Sequence, residues 1–134
     1  MDLETLPTEI VVLGWSVLLL FAHIAVQGYL SDRERGLAWN AGARDGDARP
    51  LGVHAARAQR ALDNFKESWP AFIALALALA VMGREGGAGA TGAWIWFGAR
   101  VAFLPLYLGG VPWLRTIAWG VSIIGLLMML ARLF

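Results

Sequence analysis

The chain contains no cysteine. That absence excludes disulfides, thiolate metal sites and cysteine nucleophiles together, so any thiol chemistry must take its sulfur from a substrate. Histidine is nearly as scarce. His23 and His54 are the only two, and no ligand pattern accompanies either, so no metal site is expected. GxSxG, zinc-protease and phosphate-loop motifs are missing as well. Charge is thin, at 16% of 134 residues with a net of +1, which gives no footing for nucleic acid or an acidic partner.

What is present is apolar surface. Hydrophobic residues make up 58% of the chain, and seven of them are Trp. A soluble domain of this size cannot hide that much, so the excess is expected to face lipid. The length suits one domain, 1–134. Residues 10–29, IVVLGWSVLLLFAHIAVQGY, carry no full charge. As a helix they rise about 30 Å, the thickness of a bilayer's hydrocarbon core. Asp2, Glu4 and Glu9 precede them where a signal peptide would be positive, and no small-residue cleavage site follows. A first transmembrane helix is therefore expected rather than a cleaved leader. Within it His23 and Gln27 lie one turn apart and read as interhelical hydrogen-bonding groups.

Residues 31–53, rich in Gly, Asp and Arg, read as a loop. A second helix is predicted over 54–82, because 69–82 alone is too short to span. GREGGAGATG, at 83–92, reads as a flexible turn, since no strand or GK[ST] makes it a phosphate loop. A third helix over 93–109, kinked at Pro105, meets a fourth over 113–134 through the short connection GGVP, forming a tight antiparallel hairpin. The expected fold is an all-α integral membrane protein, a bundle of four transmembrane helices. Arg33, Arg35, Arg44, Arg49, Arg57, Arg60 and Arg115 fall at one end, Arg84 and Arg132 at the other. The positive-inside rule then puts the Arg-rich 31–56 loop in the cytoplasm and both termini outside.

The second helix opens with RAQRALDNFKESWP, residues 57–70. On a wheel at about 100° per residue, Arg57, Arg60, Asn64 and Glu67 share a stripe that continues through Ala71, Ala74 and Ala78. Small residues at this spacing admit a neighbouring helix, so the face is expected to be buried against protein. Ionisable groups at bilayer depth cost on the order of 3 kcal/mol and so line a cavity or pair, for example Arg60 with Asp63. On the third helix Arg100, Phe103 and Tyr107 share a face, and Glu67 is the candidate partner of Arg100. The competing reading makes Arg57, Tyr107 and Arg115 interface anchors and Arg100 a structural counter-ion.

RALDNFKESWP, with Arg60, Asn64, Glu67 and Pro70 as RAxxNxxExxP, is joined by RVAFLPLYLGG, with Arg100, Phe103 and Tyr107, and by LRT at 114–116. Together these resemble the MAPEG family, the membrane-associated proteins of eicosanoid and glutathione metabolism, and look closest to its bacterial branch. The resemblance implies a homotrimer in a bacterial inner membrane, with glutathione as co-substrate held between subunits near the cytoplasmic side and no metal. It gives Arg57, Arg60, Asn64, Glu67 and Arg100 to glutathione binding. Arg115, Thr116 and Tyr107 take the catalytic positions, Arg115 activating the thiol. Phe103 departs from the Tyr or His of several members, and Asp63 from a basic or neutral residue.

Glutathione suits these residue types. Arginine forks match its carboxylates, Glu67 its ammonium, and Asn64 can donate and accept. The implied function is a membrane-bound glutathione-dependent transferase or peroxidase that attacks lipophilic electrophiles with the thiolate. The alternatives are a non-catalytic MAPEG-fold protein that binds a lipid or partner, and a small four-helix multidrug transporter. The transporter needs an acid in the first span, and 10–29 has none.

Overall fold

A computed structural model describes residues 5–46 and 49–134. Asp2 and Glu4 of the acidic amino terminus, and residues 47–48 of the loop, lie outside the described residues. Those described form five helices: α1 (Thr8–Arg35), α2 (Leu37–Ala41), α3 (Val53–Val81), α4 (Ala88–Leu108) and α5 (Pro112–Leu133). Two of them, α1 and α5, are long and apolar enough to cross a membrane. Trp15, Leu18, Phe21 and Ile24 on α1, and Ile117, Ile124, Leu127 and Leu130 on α5, stay exposed on the single chain. So large an apolar surface is not left to water in a soluble monomer.

The helices depart from the sequence reading in three places. The first helix runs six residues past 29, with Arg33 and Arg35 in its last turn, until Gly36, at φ +100°, turns the chain. Part of the 31–53 loop is thus helical, and α2 adds one short further helix. The third correction is at the glycines. Their stretch is a turn only to Gly87, and α4 begins at Ala88. Glycine there serves packing. A Cβ on Gly92 would stand 2.5 Å from the carbonyl oxygen of Gly125, so the two helix backbones touch.

α4 and α5 share the most extensive interface, followed by α1 and α3. Among the described residues the backbones of α1 and α5 do not pack side by side, so these helices flank a central α3–α4 pair. The buried face of α1 reads Glu9, Val12, Ser16, Leu19, His23, a three–four repeat that presents one stripe to its neighbours. Trp69 of α3 donates its indole N–H to the Ser16 hydroxyl at 2.9 Å, which stitches the two helices together. At the centre Phe72 stacks on Trp96 with ring centroids 4.0 Å apart, and Phe65 lies 5.9 Å from the same indole. A second, smaller cluster of Ala61, Phe103, Leu104 and Ala118 sits beside the α4–α5 hairpin.

His23 does not form the interhelical hydrogen bond expected of it. Among the described residues neither ring nitrogen has a partner, and the imidazole packs on Phe65 at 4.9 Å instead. The small-residue stripe of α3 is likewise not covered by the chain's own helices. Ala71 and Ala74 are exposed and Ala78 is half-buried. The buried face of α3 lies about 120° further round the helix, at Ala58, Ala61, Phe65, Ser68, Phe72 and Leu79.

Candidate functional site

The site is framed where α3 begins and α4 gives way to α5. The connecting turn is set by Gly110, at φ +69°, a conformation that glycine adopts without steric cost. Pro112 then opens α5, where its missing N–H costs nothing. Arg57 reaches this turn from α3 and donates to the carbonyl oxygen of Leu108 at 3.3 Å. A Cβ on Gly110 would stand 2.7 Å from the Arg57 guanidinium, so the glycine also makes room for the staple. The sequence reading offered Arg57 to a ligand. The structure has it pinning the hairpin that presents α5.

The first turns of α5 bring Arg115, Thr116 and Trp119 opposite Tyr107 and Phe103 of α4. With Asn64 of α3 they line an open cleft of about 230 Å³. Arg115 is half-buried, and its guanidinium lies over the Tyr107 ring at 4.7 Å. Thr116 donates its hydroxyl proton to the Pro112 carbonyl at 3.0 Å. Arg60, from α3, donates its Nε–H to the Tyr107 hydroxyl at 3.2 Å. Its expected contact with Asp63 is replaced, because Asp63 accepts from Gln59 at 3.0 Å.

Arg100 stands behind this wall, fully buried in the chain. It donates to Oδ1 of Asn64 at 2.7 Å and packs over the Phe103 ring at 4.2 Å. The hydrogen bond expected with Glu67 therefore goes one turn earlier, to Asn64. Glu67 is exposed, and the hydrogen bond of Arg100 goes to Asn64. Asn64 lies on the edge of α3 that faces α4, whereas Glu67 is rotated about 60° further round the helix.

Of the eight candidate site residues, Asn64, Tyr107, Arg115 and Thr116 line one cleft. Arg57, Arg60 and Arg100 attach to its frame, and Glu67 is not among its lining residues. Trp119 was not among the candidates. Its position one turn beyond Arg115, on the same face of α5, is the signal that could have found it. A larger cleft of about 420 Å³ lies at the opposite end, lined by Gly83, Arg84, Ala88, Ala131, Arg132 and Phe134. Its two arginines already serve the backbone carbonyls of Leu133 and Arg84, which leaves it less to offer a ligand. Among the described residues no group of three His, Cys, Asp or Glu could hold a metal ion.

A sequence model of the MAPEG family matches residues 12–134. The chain belongs to the MAPEG family. The matched range begins inside α1 and takes in every residue of the cleft, so family membership and site rest on the same stretch of chain. No curated protein and no solved structure matches this MAPEG chain. Family membership, with two apolar helices, marks a membrane protein.

Proposed function

We propose that this MAPEG protein is a membrane-bound glutathione-dependent transferase or peroxidase acting on lipophilic electrophiles. The observation that carries the reading is the cleft, where three helices deliver Asn64, Tyr107, Arg115 and Thr116 to one place beside an exposed apolar helix face. A free thiol with a pKa of about 8.5 is mostly protonated at neutral pH, and a neighbouring guanidinium lowers that value and supplies thiolate. Arg115 is the group for that task. In the transferase reaction the thiolate sulfur forms a bond to an electrophilic carbon, and the leaving group departs with its electron pair. In the peroxidase reaction the thiolate sulfur attacks the terminal hydroperoxide oxygen; an S–O bond forms as the O–O bond breaks, leaving a sulfenic acid and an alkoxide that takes a proton and departs as the alcohol. The thiol of a second glutathione then attacks that sulfur, forming the disulfide and releasing water.

A cleft of about 230 Å³ falls below the roughly 300–1,000 Å³ of pockets that enclose drug-sized ligands. The exposed stripe of Arg60, Glu67, Ala71 and Ala74 runs from beside it along α3. We assign that stripe to a second copy of the chain in a homotrimer, which would complete the site. There Glu67 is available to the ammonium of glutathione. The same reading has the chain cross the bilayer four times, in a bacterial inner membrane of the family's bacterial branch, with the Arg-rich end and the cleft at the cytoplasmic side.

Isothermal calorimetry of glutathione against detergent-purified protein tests the proposal, followed by turnover with an apolar electrophile. Saturable binding is expected. Arg115→Ala should keep the fold and lower turnover at least about tenfold, a loss of roughly 1.4 kcal/mol in transition-state stabilisation. A folded protein that takes up no glutathione at millimolar concentration ends the glutathione reading.

A further inference from the structure

Two of the arginines around the cleft touch it only through other side chains. Arg100 is donor-only, so its 2.7 Å contact requires the oxygen of the Asn64 carboxamide, not its nitrogen. With Oδ1 turned to the buried wall, the NH2 branch of Asn64 is the one left for the cleft. The same logic holds at Tyr107. Arg60 cannot accept, so the tyrosine oxygen accepts at 3.2 Å and its own proton remains free to donate. Thr116 is the reverse case, having spent its proton on Pro112. Arg115 and the Trp119 indole can only donate, and Phe103 offers no polar atom. Every polar residue lining the cleft apart from Thr116 thus keeps a hydrogen to offer an occupant.

We infer that Arg100 and Arg60 are positioning residues that set the hydrogen-bond polarity of the cleft, so that it takes the acceptor-only, anionic end of its ligand, a carboxylate or thiolate, and turns away an ammonium. This deepens the proposed function by stating which end of the thiol ligand enters the chain's own half of the site. The polarity rests on geometry alone, and only the choice of glutathione as probe rests on that reading. It also accounts for a cation buried in the middle of the chain with an amide partner. A carboxylate at position 64 would satisfy Arg100 more strongly, but it would face the cleft with a second acceptor.

Asn64→Asp separates the two roles of the amide. The variant is isosteric and keeps the bond to Arg100 while removing both N–H donors. Its thermal midpoint in detergent is expected to equal or exceed the wild type's, while glutathione affinity falls at least about tenfold. Affinity retained or improved would overturn the inference, and so would a lowered midpoint, which denies the Arg100 bond. Arg100→Leu should lose binding and Arg100→Lys, which restores a donor, should recover part of it. Loss without any recovery overturns the positioning role.

A wild type that ignores glutathione sinks the proposed function and leaves the polarity to a second readout. In asparagine-labelled protein the NH2 resonances of Asn64 are identified by their absence from Asn64→Asp. They should exchange with water through the open cleft and move in Arg100→Leu. A carboxamide shielded from water, or indifferent to Arg100, overturns the inference whether or not glutathione binds.

Discussion

Gly92 and Gly125 meet backbone to backbone, and the space between them admits no methyl group. A Cβ on Gly125 would stand 2.6 Å from the Gly92 carbonyl oxygen and 2.7 Å from the Trp96 nitrogen. Gly125→Ala must therefore push α5 off α4, and overpacking of this kind costs typically 1–3 kcal/mol. A clear drop in thermal midpoint in detergent is the expected result. Gly98 and Gly120 have nothing within 4 Å of such a Cβ, so Gly98→Ala should leave the midpoint unchanged or raise it by replacing glycine inside a helix. The residue scale is also where the sequence was least decisive about the site. Arg100 plainly needed a partner, and the sequence pointed to Glu67 where the structure supplies Asn64, one turn earlier on α3. The choice fell to the rotation of α3 against α4, which a helical wheel of one helix does not contain.

At the scale of elements, each end of the bundle is tied by a charged side chain from a helix start. Glu9, in the first turn of α1, is fully buried and accepts from the Gly86 amide at 2.7 Å. It thereby holds the turn between α3 and α4. Glu9→Ala would leave that amide without its acceptor, at a cost of about 1–3 kcal/mol for an unsatisfied buried group. Hydrogen exchange at Gly86 and its neighbours should accelerate, with the cleft end of the bundle unaffected. The sequence reading ended the acid-free span at residue 10 and placed Glu9 outside it. The helix starts at Thr8 and carries the acid inside, where its bond to Gly86 gives it a structural task.

The other tie is Arg57 on the α4–α5 turn. Gly110→Ala strains a left-handed backbone position, worth roughly 1–2 kcal/mol, and drives a methyl into the guanidinium. Because that turn places Arg115, the variant is expected to lose ligand binding by more than its lowered midpoint explains. Calorimetry beside a thermal scan would show it.

At the scale of the whole molecule, the apolar belt of α1 and α5 and the uncovered stripe of α3 leave the single chain incomplete. Lipid can cover Ile117 or Leu127, but an exposed Arg60 and Glu67 on the same helix face as Ala71 and Ala74 call for protein. Ala71→Trp would block close approach along that stripe. If the proposed homotrimer packs along it, native mass spectrometry should then show a shift toward monomer while circular dichroism keeps the helical content. A trimer undisturbed by the bulky side chain would place the subunit contact elsewhere.

Much of this protein followed from local chemistry. Runs of apolar residues at helical length dictate helices wherever backbone groups cannot reach water, and the motif RALDNFKESWP marks the polar start of α3 by composition alone. Those are properties of consecutive residues. The glycines of 86–92 show where such reasoning stops, because glycine favours a turn locally and yet was required by the closeness of Gly125, thirty-odd residues on. The cleft is the same kind of fact. Its six lining residues come from three helices, and which arginine faces a ligand and which stands behind depends on how those helices are rotated. Rotation is decided by packing of Phe65, Phe72 and Trp96 in the core, so only the tertiary structure could assign it.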